Sequence, residues 1–122
     1  MQVSSDKPGE KICTHAVYVN EGDTTARFVL SAISKGQQYL PNYTHPIHMH
    51  GHTYFIAKIG YPKYYKNGTI RAPNIDLNGP ASWRNGTPDG IYVNSTTVRK
   101  DVIIAPAGGY VVFHLITDNP GY

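Results

Sequence analysis

A chain of 122 residues with 40% hydrophobic and 16% charged content has the length of one domain and is too apolar to remain disordered. Its formal charge of +3 comes from scattered basic residues with no dense Lys/Arg run, which argues against nucleic acid as a partner. No apolar run of about 18 residues is present, so no membrane span is expected in this stretch.

The start, MQVSSDKPGEK, lacks the basic region and apolar core of a secretory signal. Asn42, Asn67, Asn85 and Asn94 each carry Thr two positions on, so four of the eight asparagines are candidate N-glycosylation sites. Pro88 after Thr87 weakens the third, and turn-forming Asn-Gly chemistry is the plainer account of the pattern. The density of these sites still points to a secreted or extracellular-surface glycoprotein. With no leader at the start, that reading makes the chain a fragment. The lone Cys13 decides nothing about redox compartment.

In chain order, Ile12 to Tyr18 is rich in β-branched and aromatic residues and predicts a strand. Asn20 to Asp23 is a turn cluster, and TARFVLSAI over Thr25 to Ile33 predicts the second strand of a hairpin. A polar connection from Ser34 to Asn42 leads into YTHPIHMHGHTYF. Thr53 to Ile59 predicts an inner strand, apolar on both faces.

Gly60 to Asn94 holds four prolines and no periodic pattern, and is expected to be a loop-rich insertion at about 60–94 within a single domain. There Tyr61, Tyr64 and Tyr65 stand beside Lys63 and Lys66 as a substrate rim or, more plainly, a solvated aromatic loop. Thr96 to Ile104 and Tyr110 to Thr117 predict a hairpin joined through APAGG, followed by a turn at Asp118 to Gly121. The expected class is all-β, built as a sandwich or barrel.

His45, His48, His50 and His52 lie within eight residues, whereas His15 and His114 stand alone. Imidazole is the commonest protein ligand of zinc, copper and iron, and packing does not account for such clustering. Pro46 and Gly51 disfavour a helix through the motif. On a strand His48, His50 and His52 share one face and His45 takes the other, with Pro46 placed to redirect the chain between them. Side chains two apart sit on alpha carbons about 6.6 Å apart, so they can converge on one ion or serve adjacent ions. A cupin-like mononuclear site would want a Glu near Tyr54 to Ile56, and structural zinc would want paired cysteines. For His15 and His114 a satisfied or exposed side chain is the better reading.

THPIHMHGHTYF resembles the HPxHxHGH motif of multicopper oxidases of the laccase and ascorbate oxidase group, in their C-terminal plastocyanin-like (cupredoxin) domain. VYVNEGDTTARFVL, VRKDVIIAPAGGYVVFHL and TDNPGY resemble further segments of that domain in family order. The resemblance implies a cupredoxin-like Greek-key β-sandwich or barrel, incomplete at its C-terminus, occupying residues 1–122. It assigns His45 to type 1 copper, His48 to type 2 copper and His50 to type 3 copper. His52 takes a supporting, non-ligating role, and Asp118, Asn119, Pro120 and Gly121 match a segment that positions the next motif.

The HCHxxxH stretch that follows in the family, with its Cys for type 1 copper, is not in this sequence. Cys13 precedes the histidines and reads as a packed thiol or an interdomain disulfide partner. The implied parent is a secreted, laccase-like oxidoreductase with copper as cofactor. It would couple one-electron oxidation of a small reducing substrate, phenolic by first choice, to reduction of dioxygen to water. Its partners would include the remaining cupredoxin domains of the same protein. The 122-residue chain alone is expected to be inactive. The alternatives are a non-catalytic extracellular cupredoxin-like copper-binding module and a mononuclear cupin-like metal protein.

Overall fold

The computed structural model describes residues 25–33, 43–78, 83–84, 87–88, 90–91 and 93–119. Its strands in chain order are β1 (Thr25–Ser31), β2 (His45–His48), β3 (Tyr54–Gly60), β4 (Lys63–Tyr64) and β5 (Ile70–Ala72). They continue with β6 (Trp83–Arg84), β7 (Thr87–Pro88), β8 (Arg99–Lys100), β9 (Val102–Ala105) and β10 (Tyr110–Ile116). A 3₁₀ turn, Ile75–Asn78, lies between β5 and β6. The expected strand Ile12 to Tyr18, the turn at Asn20 to Asp23 and the connection Ser34 to Asn42 lie outside the described residues. So do Cys13, His15 and the candidate sites Asn42 and Asn85.

The architecture is all-β and mostly antiparallel. One sheet has the order β1-β10-β3-β8, and separate two-stranded ladders join β2 to β9, β4 to β5 and β6 to β7. These residues define no closed barrel. β10 is the organising strand, because YVVFHLI is dense in β-branched and aromatic residues and is buried nearly throughout. Its register sets Phe113 against Phe28 of β1 and Ile56 of β3. A bulge between Val112 and Phe113 shifts the pairing with β3.

The core lies where the four-stranded sheet faces the β2–β9 ladder. Val111, Phe113, Leu115 and Tyr54 come from the sheet, Ile103 and Ala105 from β9, and Ile47 of β2 packs at the margin. The ring of Phe113 stacks on Phe28 at 5.2 Å and tilts against Tyr54 at 4.6 Å. Each such aromatic pair is worth about 0.5–1.5 kcal/mol beyond its area.

The segment after β3 closes part of the opposite face of the sheet. The Tyr110 hydroxyl donates to the Asp76 carboxylate in the 3₁₀ turn, and Lys58 lies 3.4 Å from the same oxygen. Burial first, then the hydrogen bond to Asp76 and its charge, push the Tyr110 phenol above its usual range. Asn74 fixes the approach, donating from its side chain to the Tyr61 carbonyl at 2.7 Å and from its backbone to Gly108 at 2.8 Å. Gly60 must be glycine here, since a Cβ would stand 2.1 Å from the Tyr110 ring. The stretch expected to lack pattern therefore contains two short ladders and a docked turn, while Tyr61, Tyr64 and Tyr65 remain exposed.

Two expectations are corrected. Thr96 to Ile104 is not one strand: Asp101 is a bend, with β8 before it pairing β3 and β9 after it pairing β2. The hairpin between that segment and Tyr110 to Thr117 is likewise absent, because β9 and β10 belong to different sheets and face each other through the core. The APAGG connection crosses between layers. It is fixed by paired bonds from Gly108 to Ala32 and from Ala32 to Gly109.

Phe113→Ala removes the ring shared by three strands. It is expected to lower stability by about 3–5 kcal/mol, as read by chemical denaturation.

Candidate metal centre

The first half of the histidine motif is β2 itself. His45 lies opposite Ala105, Pro46 opposite Ile104, Ile47 opposite Ile103 and His48 opposite Val102. Ile47 is drawn toward the core, which leaves His48 and Pro46 on the outward face with exposed Val102 and Ile104. His45 shares the face of Ile47 but is exposed at the strand start. Pro46 does not redirect the chain. In a two-stranded ladder one side of β2 is unpaired, so the missing N–H is tolerated and the strand runs through it.

The expectation that His48, His50 and His52 share a strand face is also corrected. β2 stops at His48, and Met49 to His52 forms a turn in which the His52 N–H donates to the Met49 carbonyl at 3.4 Å. Gly51 takes the third position with φ +74°, the left-handed conformation that glycine adopts at least cost. His50 is exposed on this turn. Its ring meets that of His48 edge-on with centroids 5.0 Å apart. His52 is half-buried and contributes its backbone to closing the turn.

Three contacts hold the motif. Asn119 Nδ2 donates to the Gly51 carbonyl at 3.0 Å, tying the turn to the segment after β10. The Ala107 N–H donates to Thr44 Oγ1 at 3.1 Å, anchoring the start of β2. Arg99 donates to Thr53 Oγ1 at 3.1 Å from Nε and 2.6 Å from Nη2 just after the turn, while its guanidinium carbon lies 4.6 Å from the Phe55 ring centroid.

The Nδ1 of His48 lies 2.8 Å from the carbonyl oxygen of Asp101. A carbonyl can only accept, so Nδ1 carries the proton and donates. In the neutral ring this puts the lone pair on Nε2, where a metal could use it, the usual way a protein fixes the tautomer of a ligating histidine. His114 contrasts with it. Arg27 Nε donates to His114 Nε2 at 2.8 Å, so that nitrogen is already used. Burial first and the nearby Arg27 charge second lower its pKa below the ordinary value of 6.5, favouring the neutral ring.

Among the described residues, no three His, Cys, Asp or Glu side chains gather around one point. The convergence of several motif histidines on one ion, left open by the sequence, finds no support in this arrangement. Imidazoles remain suitable donors for copper, and His48 and His50 are accessible to a metal held jointly with ligands from elsewhere. Sequence reading missed the Asp101 carbonyl, a backbone group with no residue signature. It also passed over the Asn119 clamp, whose signal was a side-chain amide donor within a segment read as a turn.

The family model for multicopper oxidases matches residues 2–122. The chain belongs to the multicopper oxidase family. Laccase-3 of Botryotinia fuckeliana is 36% identical over 80 residues, an alignment covering 66% of this chain and 13% of that protein. Oxidoreductase OpS5 of Beauveria bassiana (strain ARSEF 2860) is 30% identical over 80 residues, covering 66% of this chain and 10% of the relative. Putative laccase-5 of Oryza sativa subsp. japonica is 28% identical over 78 residues, covering 64% and 11%. The matched region is thus a small part of each relative's length. No solved structure gives a significant match.

A Cβ at position 51 would stand 2.5 Å from Asn119 Nδ2 on a left-handed backbone. Gly51→Ala is expected to cost about 1–2 kcal/mol from the backbone alone, plus the clash. In a denaturation series, adding Asn119→Ala should recover only the steric part.

Proposed function

We propose that this multicopper oxidase chain is the part of a laccase-like enzyme that presents histidine ligands to copper, from a plastocyanin-like domain of cupredoxin, Greek-key type. His48, assigned to type 2 copper, carries the reading through its hydrogen bond to Asp101. The tautomer is set and Nε2 is offered outward on an accessible strand end. His50, assigned to type 3 copper, follows on the turn. His45, assigned to type 1 copper, stands on the opposite strand face, as suits a separate centre. His52 supports the turn.

Copper, when bound, supplies one-electron transfer from a reducing substrate to dioxygen, which is reduced to water. The chain's own residues bind and orient. Gly51 and Asn119 hold the turn that bears His50, and Asp101 holds the His48 proton on Nδ1.

The outward face of β2 and β9 supports a further part of the proposal. Ile104 is 55% exposed and Val102 44% exposed beside His48. An apolar surface around a candidate ligand suits burial against another domain of the same protein, which would contribute further ligands. Residues 1–122 are assigned to one such domain, with 60–94 as its insertion. A phenol-type reductant is the first choice of electron donor, on the names of two of the relatives, a laccase and a putative laccase. The acceptor sequences at Asn42, Asn67, Asn85 and Asn94 support a secreted or extracellular-surface location.

The test is copper content and phenol-dependent oxygen uptake in the full-length protein that carries this chain. Copper binding with uptake that falls to background in His48→Ala is expected. Bound copper without uptake would instead favour a non-catalytic copper-binding module. Unchanged uptake in His48→Ala would remove the assignment of that ligand.

A further inference from the structure

The face of the four-stranded sheet turned away from β2 and β9 carries a cavity that the histidine motif does not use. It is open to solvent and measures about 490 Å³, within the roughly 300–1,000 Å³ typical of small-ligand sites. Arg27, Phe55, His114 and Ile116 line it from the sheet, and Asn94 and Ser95 line it from the loop before β8. One wall is thus the first two residues of an N-glycosylation acceptor sequence, Asn94-Ser95-Thr96.

The local geometry of that sequence is specific. Asn94 Oδ1 accepts from the Thr96 N–H at 3.0 Å and from the Thr96 hydroxyl at 2.7 Å, so the hydroxyl two residues on is locked to the side-chain amide. The Asn94 N–H donates in turn to Thr97 Oγ1 at 2.8 Å. Among the described residues Nδ2 of Asn94 has no hydrogen-bond partner, and the residue is exposed. Asn67 repeats the arrangement at the β4–β5 turn, with Thr69 donating from N–H at 3.1 Å and from its hydroxyl at 2.8 Å. Asn67 is not among the residues that line this cavity.

We propose that Asn94 is N-glycosylated and that the first N-acetylhexosamine of its glycan seats in the adjoining cavity. The proposal rests on the extracellular location argued above. In the transfer, Nδ2 forms a bond to the anomeric carbon of an oligosaccharide carried on a polyisoprenyl diphosphate. The bond from that carbon to the diphosphate oxygen breaks, and the lipid diphosphate and the Nδ2 proton leave with no change of oxidation state. A hexosamine has an apolar C–H face that matches Phe55 and Ile116. Its hydroxyl and acetamide groups match the polar lining residues Arg27 and His114, the latter carrying its proton on Nδ1 because Nε2 accepts from Arg27. Covalent attachment at the cavity wall makes the sugar's binding intramolecular, so a weak seat is occupied. A free ligand would lack that advantage.

The experiment uses the full-length protein secreted from a eukaryotic host. Deglycosylation with an amidase in ¹⁸O-water marks each occupied asparagine as ¹⁸O-aspartate for peptide mass spectrometry, and both Asn94 and Asn67 should be marked. In a parallel sample an endoglycosidase trims each glycan to one sugar. That form should keep the thermal midpoint of the intact protein, whereas Thr96→Ala, which prevents attachment at Asn94, should lower it by a few degrees. Thr69→Ala should leave it unchanged. The Asn94 acetyl methyl resonance should also lie upfield of the Asn67 one, from the Phe55 ring current.

Asn67 marked and Asn94 unmarked would overturn the proposal while leaving the extracellular reading intact. Neither marked would overturn both. Asn94 marked with equal midpoints and coincident methyl resonances would overturn the seating.

Discussion

One backbone carbonyl, that of Asp101, connects the fold to its proposed chemistry. The chain bends there, leaving the four-stranded sheet after β8 and entering the second layer as β9. The bend brings the Asp101 carbonyl to 2.8 Å from His48 Nδ1 at the end of β2. Were β8 and β9 one continuous strand, β2 would lose its partner, Ile103 and Ala105 would leave the core, and His48 would lose the acceptor that fixes its proton. The layer crossing and the state of the candidate ligand are one feature of the backbone.

The histidine motif is accordingly divided among three kinds of support. His45 and His48 are carried by a ladder whose inward residues, Ile47, Ile103 and Ala105, join the core. His50 is carried by a turn that depends on the left-handed Gly51 and on Asn119. His52 closes that turn through its backbone. A motif held in this way is positioned by residues far apart in the chain, since Asn119 lies 68 residues after Gly51. Placement near exposed apolar residues, rather than in an enclosed pocket of this chain, fits a family in which the matched region is a small part of a much longer protein.

Much of this was legible in the residues. TARFVLS, YFIAKIG and YVVFHLI became β1, β3 and β10, because dense β-branched and aromatic runs have few alternatives to a buried sheet. The density of the histidine motif prompted its reading as a candidate metal centre. The bend at Asp101 was not, since apolar residues recur at Val98, Val102 and Ile104 across it as they would along one strand, and the structure leaves all three exposed. Nor was the crossing after Ala105, because APAGG has the composition of a hairpin turn while its neighbours pair elsewhere. The strand parity extended through His50 and His52 failed for a local reason: Gly51 permits a turn that a periodic pattern does not encode. Contacts made by backbone carbonyls, such as those of Asp101 and Gly51, leave no trace in residue type.

The central proposal is that the fold would offer His48 to a metal with its proton already placed on Nδ1. Long-range ¹H–¹⁵N correlation of the His48 imidazole in the metal-free protein reads this directly. The account predicts a protonated Nδ1 and a lone-pair-bearing Nε2, with the Nε2 resonance alone moving strongly when a diamagnetic copper(I) ion is added. A proton on Nε2, or an ion that binds through Nδ1, would contradict it.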